Sequence, residues 1–500
     1  MSVEAASLSS AFSPRWGLVS AWSVLNWQSP RLWFVTKAQR RVVLVICAMV
    51  GLTLLVGAGL TFLIAPMAES LGLADDYVED ALVVPAIASL LVVFVAGRMG
   101  DTFGDRRSIV GSGLLFSIGA VILAAAQGTM GVNIGLALCG VGTIIIQIVG
   151  VSLLQKTAGE GPAHVSAFTT YGMVFPASFL VLPIATAGML GVVSWRWIPI
   201  VWAVAGVAIA IAAIFALEVD KPLKVTSEWG TPILAGMSLG AGSFAIAEID
   251  NVEIEGSKIL TGLLVSLGAG LACFLVMRIS AEPSFTLNVL RQGLLRVLLI
   301  GVVLVSLIQI LTFVSIAIQY FYDLSPLQAS IVIAPAQIGA ILGAKFLARR
   351  AVHRWGTARA GRGLILVAGL TMLPLVTMQS NTPIWLLVLI SSIFSCAGMG
   401  ALTVLNMDVM GRAPANCTGE VSAFRTAASS VGTALGMALL GTMIIASVQM
   451  EAGVESVSSG QLDALANAIR VDGFLGFLVS VIGWAILLVA ERKTTALASA

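Results

Sequence analysis

The sequence predicts an all-α integral membrane protein. Of its 500 residues, 58% are hydrophobic and only 10% are charged, and the mean hydropathy of +1.01 exceeds what a soluble fold can bury. Charges and short polar turns divide the chain into apolar runs of about 20 residues, which is the length a helix needs to cross a bilayer. A β-barrel would show short alternating segments instead, so the spans are predicted to be helical.

Fourteen such runs are present, and each is predicted to be a transmembrane helix. Their approximate bounds are 41–64, 79–97, 108–127, 131–154, 163–188, 194–217, 231–249, 256–277, 294–320, 327–348, 361–379, 384–406, 419–447 and 469–490. Basic residues cluster in alternate loops, which the positive-inside rule places in the cytoplasm. Both termini of this multi-pass protein are then cytoplasmic, in a plasma membrane of bacterial type.

The spans divide the chain into five regions. These are a cytoplasmic N-terminal arm at 1–40, a six-helix bundle at 41–217, a two-helix insert with flanking loops at 218–293, a second six-helix bundle at 294–490 and a cytoplasmic tail at 491–500. In the arm, Leu18, Trp22 and Leu25 have helical spacing, which favours an amphipathic helix in the inner headgroup layer. A disordered arm with incidental tryptophans is the alternative.

Few residues are available for catalysis or metal binding. The five cysteines lie far apart, and the only histidines are His164 and His353. No disulfide, metal site or hydrolytic triad is therefore expected. No soluble segment carries a phosphate-binding glycine loop or paired catalytic carboxylates, so the sequence indicates neither an enzyme nor a bound cofactor.

The stretch VAGRMGDTFGDRRSI, Val95 to Ile109, concentrates charge between the second and third spans. Its glycines permit the tight backbone of a short loop, and its arginines hold that loop in the cytosol. Asp101 can face a helix N-terminus or an arginine. The residues predicted to form this motif are Gly97, Arg98, Asp101, Gly104, Arg106 and Arg107.

This ordered set resembles the signature loop between helices two and three of the major facilitator superfamily. The stretches 194–200, 322–344 and 419–444 resemble helices six, ten and thirteen of its fourteen-helix drug:proton antiporter branch. The similarity covers residues 40–490, although the family's second basic position in the loop is Thr102 here. The resemblance implies a major-facilitator-type fold, in which two six-helix bundles rock about a central cavity and the loop gates the inner side.

An internal repeat agrees with two bundles. RRAVHRWGTAR at 349–359 aligns with GRMGDTFGDRR at 97–107 at an offset of 252 residues (349 minus 97). The alignment sets Gly356 on Gly104 and His353 on Asp101, so the second copy is degenerate.

The coupling residues that the resemblance implies are missing. Gly57 stands where the branch places an aspartate in helix one. Any proton coupling must then use another ionisable group, and such groups are expensive within a membrane and usually functional. The candidates are Glu248, Asp408, Glu420 and Arg425. For Glu248, the alternative is a position at the membrane interface. For Asp408 and Glu420, the alternative is that the positive charge of Arg425 keeps both carboxylates permanently ionised.

Uncharged polar residues within the spans are candidates for the wall of a substrate cavity. They are Gln147, Tyr171, Gln309, Gln319, Gln337 and Asn406. Pairing between helices is the alternative for several of them. The surrounding Met, Leu, Ile and Phe side chains favour a large pocket with shape-tolerant binding.

The sequence therefore predicts a secondary active transporter, namely a proton-linked exporter of hydrophobic or amphipathic small molecules of the multidrug type. The alternatives are an exporter or importer of a specific lipid-like metabolite, glycolipid or siderophore, and a membrane scaffold or sensor that transports nothing. The expected partners are the substrate, protons and membrane lipid, without nucleic acid, and the protein is expected to be a monomer.

Overall fold

The computed structural model describes residues 36–73, 77–219, 228–247, 252–280, 294–310, 326–379, 382–414, 417–448 and 459–498, with single positions between 314 and 324. Most of the predicted N-terminal arm lies outside these residues. Within them the regular elements are all helical. The α-helices are α1 (Lys37–Leu71), α2 (Tyr77–Phe103), α3 (Asp105–Ala124), α4 (Thr129–Ala158), α5 (Pro162–Leu190), α6 (Trp197–Ala216), α7 (Gly230–Ala247), α8 (Val252–Ile279), α9 (Leu295–Ile308), α10 (Pro326–Leu342), α11 (Ala348–Leu370), α12 (Ile384–Gly411), α13 (Thr418–Val448) and α14 (Ser459–Ala498).

Ten helical segments in this part of the chain are long and apolar enough to cross a membrane, judged by length and composition. One of them, Leu327–Thr377, covers two predicted spans. A break in the helical backbone at Gly356 divides this segment into two parts. The apolar stretches Gly230–Ile246 and Leu298–Ile308, in α7 and α9, are shorter. The all-α prediction is confirmed, and the helices are compatible with fourteen spans.

Helix ends differ from the predicted apolar spans, because local capping rather than hydropathy sets them. Thr36 precedes α1, and its side chain accepts a hydrogen bond of 3.2 Å from the backbone nitrogen of Gln39. α2 continues beyond the predicted end at residue 97 to Phe103. Arg98 and Asp101 of the predicted loop are therefore on the last turns of α2, and Arg106 and Arg107 are in the first turn of α3.

The stretch 194–200, where α6 begins, is hydrogen-bonded to the C-terminal end of α3. The guanidinium group of Arg196 donates hydrogen bonds of 2.9 Å to the carbonyl oxygens of both Ala124 and Ala126. The last carbonyl groups of a helix have no partner within the helix, so this arginine satisfies the one at Ala124 and another in the turn that follows. Farther along the same pair of helices, the Ser117 hydroxyl donates to the Ala203 carbonyl at 2.9 Å.

Helices α7 and α8 form an antiparallel pair. The hydroxyl groups of Ser238 and Ser266 each donate a 2.8 Å hydrogen bond to the carbonyl oxygen of the other residue. α7 also contacts α2 and α13. We refer to α1–α6 as the first half and to α9–α14 as the second half. The halves meet where α2, α4 and α5 contact α10 to α13.

Candidate functional site

A single residue, Gly104, separates α2 from α3. Its φ of 90° and ψ of 145° form a backbone conformation that side chains strongly disfavour. The Ser108 hydroxyl, in the first turn of α3, lies 3.0 Å from the carbonyl oxygen of Met99 and 2.9 Å from that of Gly104. The predicted loop is thus one residue long, and a side chain ties its two helices together.

An ion-pair network connects this turn to α4. The Lys156 ammonium lies 2.9 Å from Oδ2 and 3.2 Å from Oδ1 of Asp105, and 3.4 Å from Oδ1 of Asp101. Only 1% of Asp105 and 9% of Asp101 are exposed, so two buried carboxylates share one ammonium group. Asp105 also lies in the first turn of α3, where the helix dipole favours a negative charge.

Sequence reasoning missed Lys156 as a member of this site. It is the only charged residue in the sequence of α4. A lone charge at the end of an apolar helix is a usable signal, because such a group needs an opposite charge nearby. The acidic partners lie about 50 residues earlier in the chain, and only the packing of α2 and α3 against α4 brings them together.

Aromatic contacts surround the remaining motif residues. The Arg98 guanidinium lies 5.8 Å from the ring centre of Trp229, just before α7. The Trp229 ring also stacks on Phe103, with ring centres 5.9 Å apart. Arg106 is half-buried and Arg107 is exposed. The start of the α7–α8 pair therefore rests directly on the motif.

The backbones of α2 and α13 touch next to this motif. The carbonyl oxygen of Gly419 lies 2.7 Å from where a Cβ atom on Gly97 would be, so a side chain at Gly97 would not fit. Gly97 is thus a residue of close helix packing inside α2, which corrects the prediction that it belongs to a loop. Oδ2 of Asp101 lies 3.0 Å from the Cβ position of Gly419, against the N-terminal turn of α13.

Hydrogen bonds join the halves at the same end of the molecule, which we call the closed end. It comprises the turn at Gly104 and the first turns of α5 and α13. The hydroxyl groups of Ser152 and Thr418 are 2.8 Å apart, and the Ser422 hydroxyl donates to the Ile148 carbonyl at 2.9 Å. These bonds connect α4 with α13.

A second set of contacts connects α5 with α12 at the closed end. Nε2 of His164 lies 3.1 Å from the carbonyl oxygen of Met407. One turn deeper, the Thr403 side chain lies directly against the backbone of Gly172. These three hydrogen bonds between the halves lie at the same end of the molecule.

A cavity of about 480 Å³ lies between the halves, beyond these contacts. Five of the six uncharged polar residues predicted to line a cavity lie on its wall, namely Gln147, Tyr171, Gln309, Gln337 and Asn406. The sixth, Gln319, lies outside the described residues. Much of the remaining wall is apolar, and the rings of Phe175 and Phe179 stack within it, 4.6 Å apart.

Arg425 of α13 also lies on the cavity wall. One of its terminal nitrogens lies 3.4 Å from Oδ1 of Asn406, and the other donates to the Thr426 hydroxyl at 3.1 Å. The guanidinium carbon is 6.0 Å from the ring centre of Tyr171. Nε of Arg425 is buried without a hydrogen-bond acceptor.

The prediction that Arg425 holds two carboxylates is wrong. Asp408 instead forms an ion pair with Arg412, the residue that follows the last residue of α12, with a shortest distance of 2.9 Å. Glu420 lies close enough to Arg98 of the first half for their charges to attract each other. Arg425 lies five positions after Glu420, which turns their side chains about 140° apart around α13. Glu420 therefore points to the closed end and Arg425 into the cavity.

The structure adds one buried carboxyl group and leaves another undescribed. Glu248 lies outside the described residues. Asp472 of α14 is 1% exposed, and neither of its oxygens has a hydrogen-bond partner. Its neighbour Gly473 packs against Leu375, in an apolar part of the second half. Sequence reasoning missed Asp472 although the predicted span 469–490 contains it, because that span places it in the first turn. In the structure α14 begins at Ser459, so Asp472 lies well inside the helix.

Several curated proteins are similar to this chain along most of its length. The puromycin resistance protein pur8 of Streptomyces alboniger is 24% identical over 80% of this chain and 80% of its own. The drug efflux pump JefA of Mycobacterium tuberculosis is 24% identical over 76% and 75%. The methyl viologen resistance protein SmvA of Salmonella typhimurium is 21% identical over 85% and 89%.

The fold also occurs in solved transporters. The crystal structure of the human organic anion transporter MFSD10 (TETRAN) is similar with a TM-score of 0.64 and 14% identity, over 90% of this chain and 99% of that one. The Major Facilitator Superfamily matches residues 43–437. The sequence motif, the two halves around a cavity and this match agree. The chain belongs to the Major Facilitator Superfamily and is a multi-pass membrane transporter.

Proposed function

We propose that the protein is a secondary active exporter of hydrophobic or amphipathic small molecules. The cavity carries this proposal, because it lies between two halves that touch at one end and its wall is mostly apolar with a few amides. Relatives named for drug efflux and for resistance to puromycin and methyl viologen support export. Both halves of the chain contribute residues to the wall, which supports the expectation of a monomer.

The closed end faces the cytoplasm in this proposal, and the cavity opens outward. The basic residues Arg98, Arg106 and Arg107 at this end support the orientation. Glu160 at the closed end is exposed, and so is Gln127 at the opposite end of α4. In intact cells, an impermeant maleimide should label Gln127→Cys and spare Glu160→Cys. The reverse labelling would overturn the orientation.

Proton linkage needs a carboxyl group that binds a proton in one state and releases it in another. Asp408 and Glu420 each have a basic neighbour, whereas Asp472 has no polar partner among the described residues. An ionised carboxylate is very unfavourable in such surroundings, so Asp472 is expected to be neutral in this state. We propose it as the proton-binding group.

Transport is tested in proteoliposomes with an imposed pH gradient and a panel of lipophilic dyes. Export against a dye gradient should require the pH gradient and disappear when an ionophore collapses it. Empty liposomes control for passive permeation of the dyes. The absence of flux for every dye would favour the scaffold hypothesis. Flux of equal size with and without the pH gradient would indicate a facilitator.

The same vesicles test the coupling group. Asp472→Asn should abolish uphill export and retain downhill exchange of a dye, because the asparagine keeps the shape of the protonated acid but carries no transferable proton. Asp408→Asn serves as the comparison, with a smaller loss of uphill export. Full pH-driven export by Asp472→Asn would exclude this residue as the proton-binding group.

A further inference from the structure

The described wall of the cavity has a single ionised residue. Its polar side chains are amides, hydroxyls and a phenol, and Arg425 is the one residue of the wall with a formal charge. A charged group in apolar surroundings is unfavourable unless an opposite charge or several hydrogen bonds compensate it. The contacts of Arg425 therefore indicate what the cavity is built to bind.

Those contacts leave the guanidinium group incompletely satisfied. Of its five N–H groups, the described contacts engage two, and the bond to Asn406 is long at 3.4 Å. Nε is buried and lacks an acceptor. The Tyr171 ring lies 6.0 Å away and contributes a weak attraction at most. A fork of N–H donors thus remains available at the cavity wall.

The nearest acidic residues in the sequence have other partners. Asp408, two residues after Asn406, pairs with Arg412 through bonds of 2.9 and 3.0 Å. Glu420, earlier on α13, has an electrostatic attraction to Arg98 at the closed end. Neither lies on the cavity wall. The positive charge of Arg425 is therefore not neutralised by these acids and is open to a ligand.

We infer that Arg425 binds an oxyanion group of the substrate, and that the cavity takes amphipathic anions. A carboxylate or sulfonate matches the planar fork of a guanidinium group through two parallel hydrogen bonds. The stacked rings of Phe175 and Phe179, with Ile308, line the same cavity and suit an aromatic or aliphatic body. This inference rests on the proposed function, since it names the substrate class of the same cavity.

Three probes with one body and different charge test this inference. They are 1-pyrenebutyrate, its uncharged amide, and the corresponding pyrenebutyl trimethylammonium cation. Flux of each is measured in proteoliposomes that contain the full chain, with empty liposomes subtracted. The wild-type protein should transport the anion at least about 10-fold better than the cation, which corresponds to one hydrogen bond to a charged group.

Substitution of Arg425 should change this preference without stopping transport. Arg425→Gln should lower anion flux about 10-fold and amide flux much less, because a neutral carbonyl oxygen accepts a weaker bond from the guanidinium group, and Arg425→Lys should restore part of the anion flux. Arg278→Gln, at the end of α8 and outside the cavity, is the matched control and should change nothing. Amide flux also shows that each variant is folded.

The outcomes separate two failures. If none of the three probes is transported by the wild-type protein, the proposed export function is wrong. If the amide is transported and the anion is not preferred, or if Arg425→Gln keeps the preference, the assignment of Arg425 is wrong while export stands. Thermal stabilisation of the purified protein by pyrenebutyrate, present in the wild type and lost in Arg425→Gln, gives a second readout that is independent of flux.

Discussion

The two copies of the internal repeat, 97–107 and 349–359, bend the chain in the same way, but their side chains differ in burial. Gly104 has a φ of 90° and Gly356 a φ of 73°, and each ends one helical segment and begins the next. In the first copy, Asp101 and Asp105 are buried and share Lys156. In the second copy, residues 353–356 are exposed.

The difference between the copies distinguishes the residue that the fold requires, a glycine with positive φ, from the residues that the closed end requires, the two buried acids. A glycine with positive φ is kept in both copies, because the reversal between two helices needs that backbone conformation. The acids are kept in one copy only, where the turn packs against α4 and α13. At the same offset of 252 residues, Asp408 stands where Lys156 stands (408 minus 156), so the second half has no equivalent ammonium group there.

The largest effect is expected at the backbone contact between Gly97 and Gly419. This contact belongs to the first copy of the repeat, because the second copy has Arg349 at the position of Gly97. Gly419→Ala places a methyl group against the Gly97 carbonyl. Such a clash costs about 1–3 kcal/mol, so we expect dye flux to fall roughly 30-fold. Gly363→Ala is the matched control, because a Cβ atom there meets nothing within 4 Å.

The reactivity of Cys417 gives a second measurement for the same variant. Burial, with Glu420 nearby, raises the pKa of the Cys417 thiol to about 11, so it should react slowly with maleimide. If Gly419→Ala opens the closed end, labelling should become faster in a background where the other cysteines are alanine. Unchanged labelling together with unchanged flux would show that this contact does not hold the end closed.

A smaller effect is expected from the aligned pair Asp101 and His353. Asp101→Asn removes the charge next to Lys156 and the first turn of α13, so we expect flux to fall about 10-fold with little change in thermal unfolding. His353→Asn should change flux less than about twofold, because an exposed side chain seldom contributes much. Equal losses in the two variants would contradict the asymmetry between the copies.

The smallest difference is expected between the two turn glycines. Gly104→Ala and Gly356→Ala each force a side chain into a positive φ, which costs about 1–3 kcal/mol. Both should lower the thermal unfolding temperature by a similar amount. If only Gly104→Ala does so, the second turn is free to relax, and the shared conformation is not a requirement of the fold.

The sequence predicted what depends on local chemistry. Apolar runs predicted the helices, and five uncharged polar residues within those runs, four amides and one tyrosine, lie on the cavity wall. Pairings between distant segments were not predictable in this way, because nothing near Asp101 in the chain indicates Lys156. Arg425 shows the same limit. Its closeness to Glu420 in sequence suggested an ion pair, and helix geometry turns the two side chains apart.

The contact between Trp229 and the motif bears on how such a protein can be shortened or rebuilt. The α7–α8 pair lies between the halves in sequence, yet its first residues cover Arg98 and Phe103, and Gly236 packs directly on the backbone of Leu91 in α2. Its removal would strip the aromatic cover from the motif and expose an apolar face of α2. A twelve-helix version of this chain would therefore need a redesigned surface on α2, because the pair is part of the first half's packing as well as a connection.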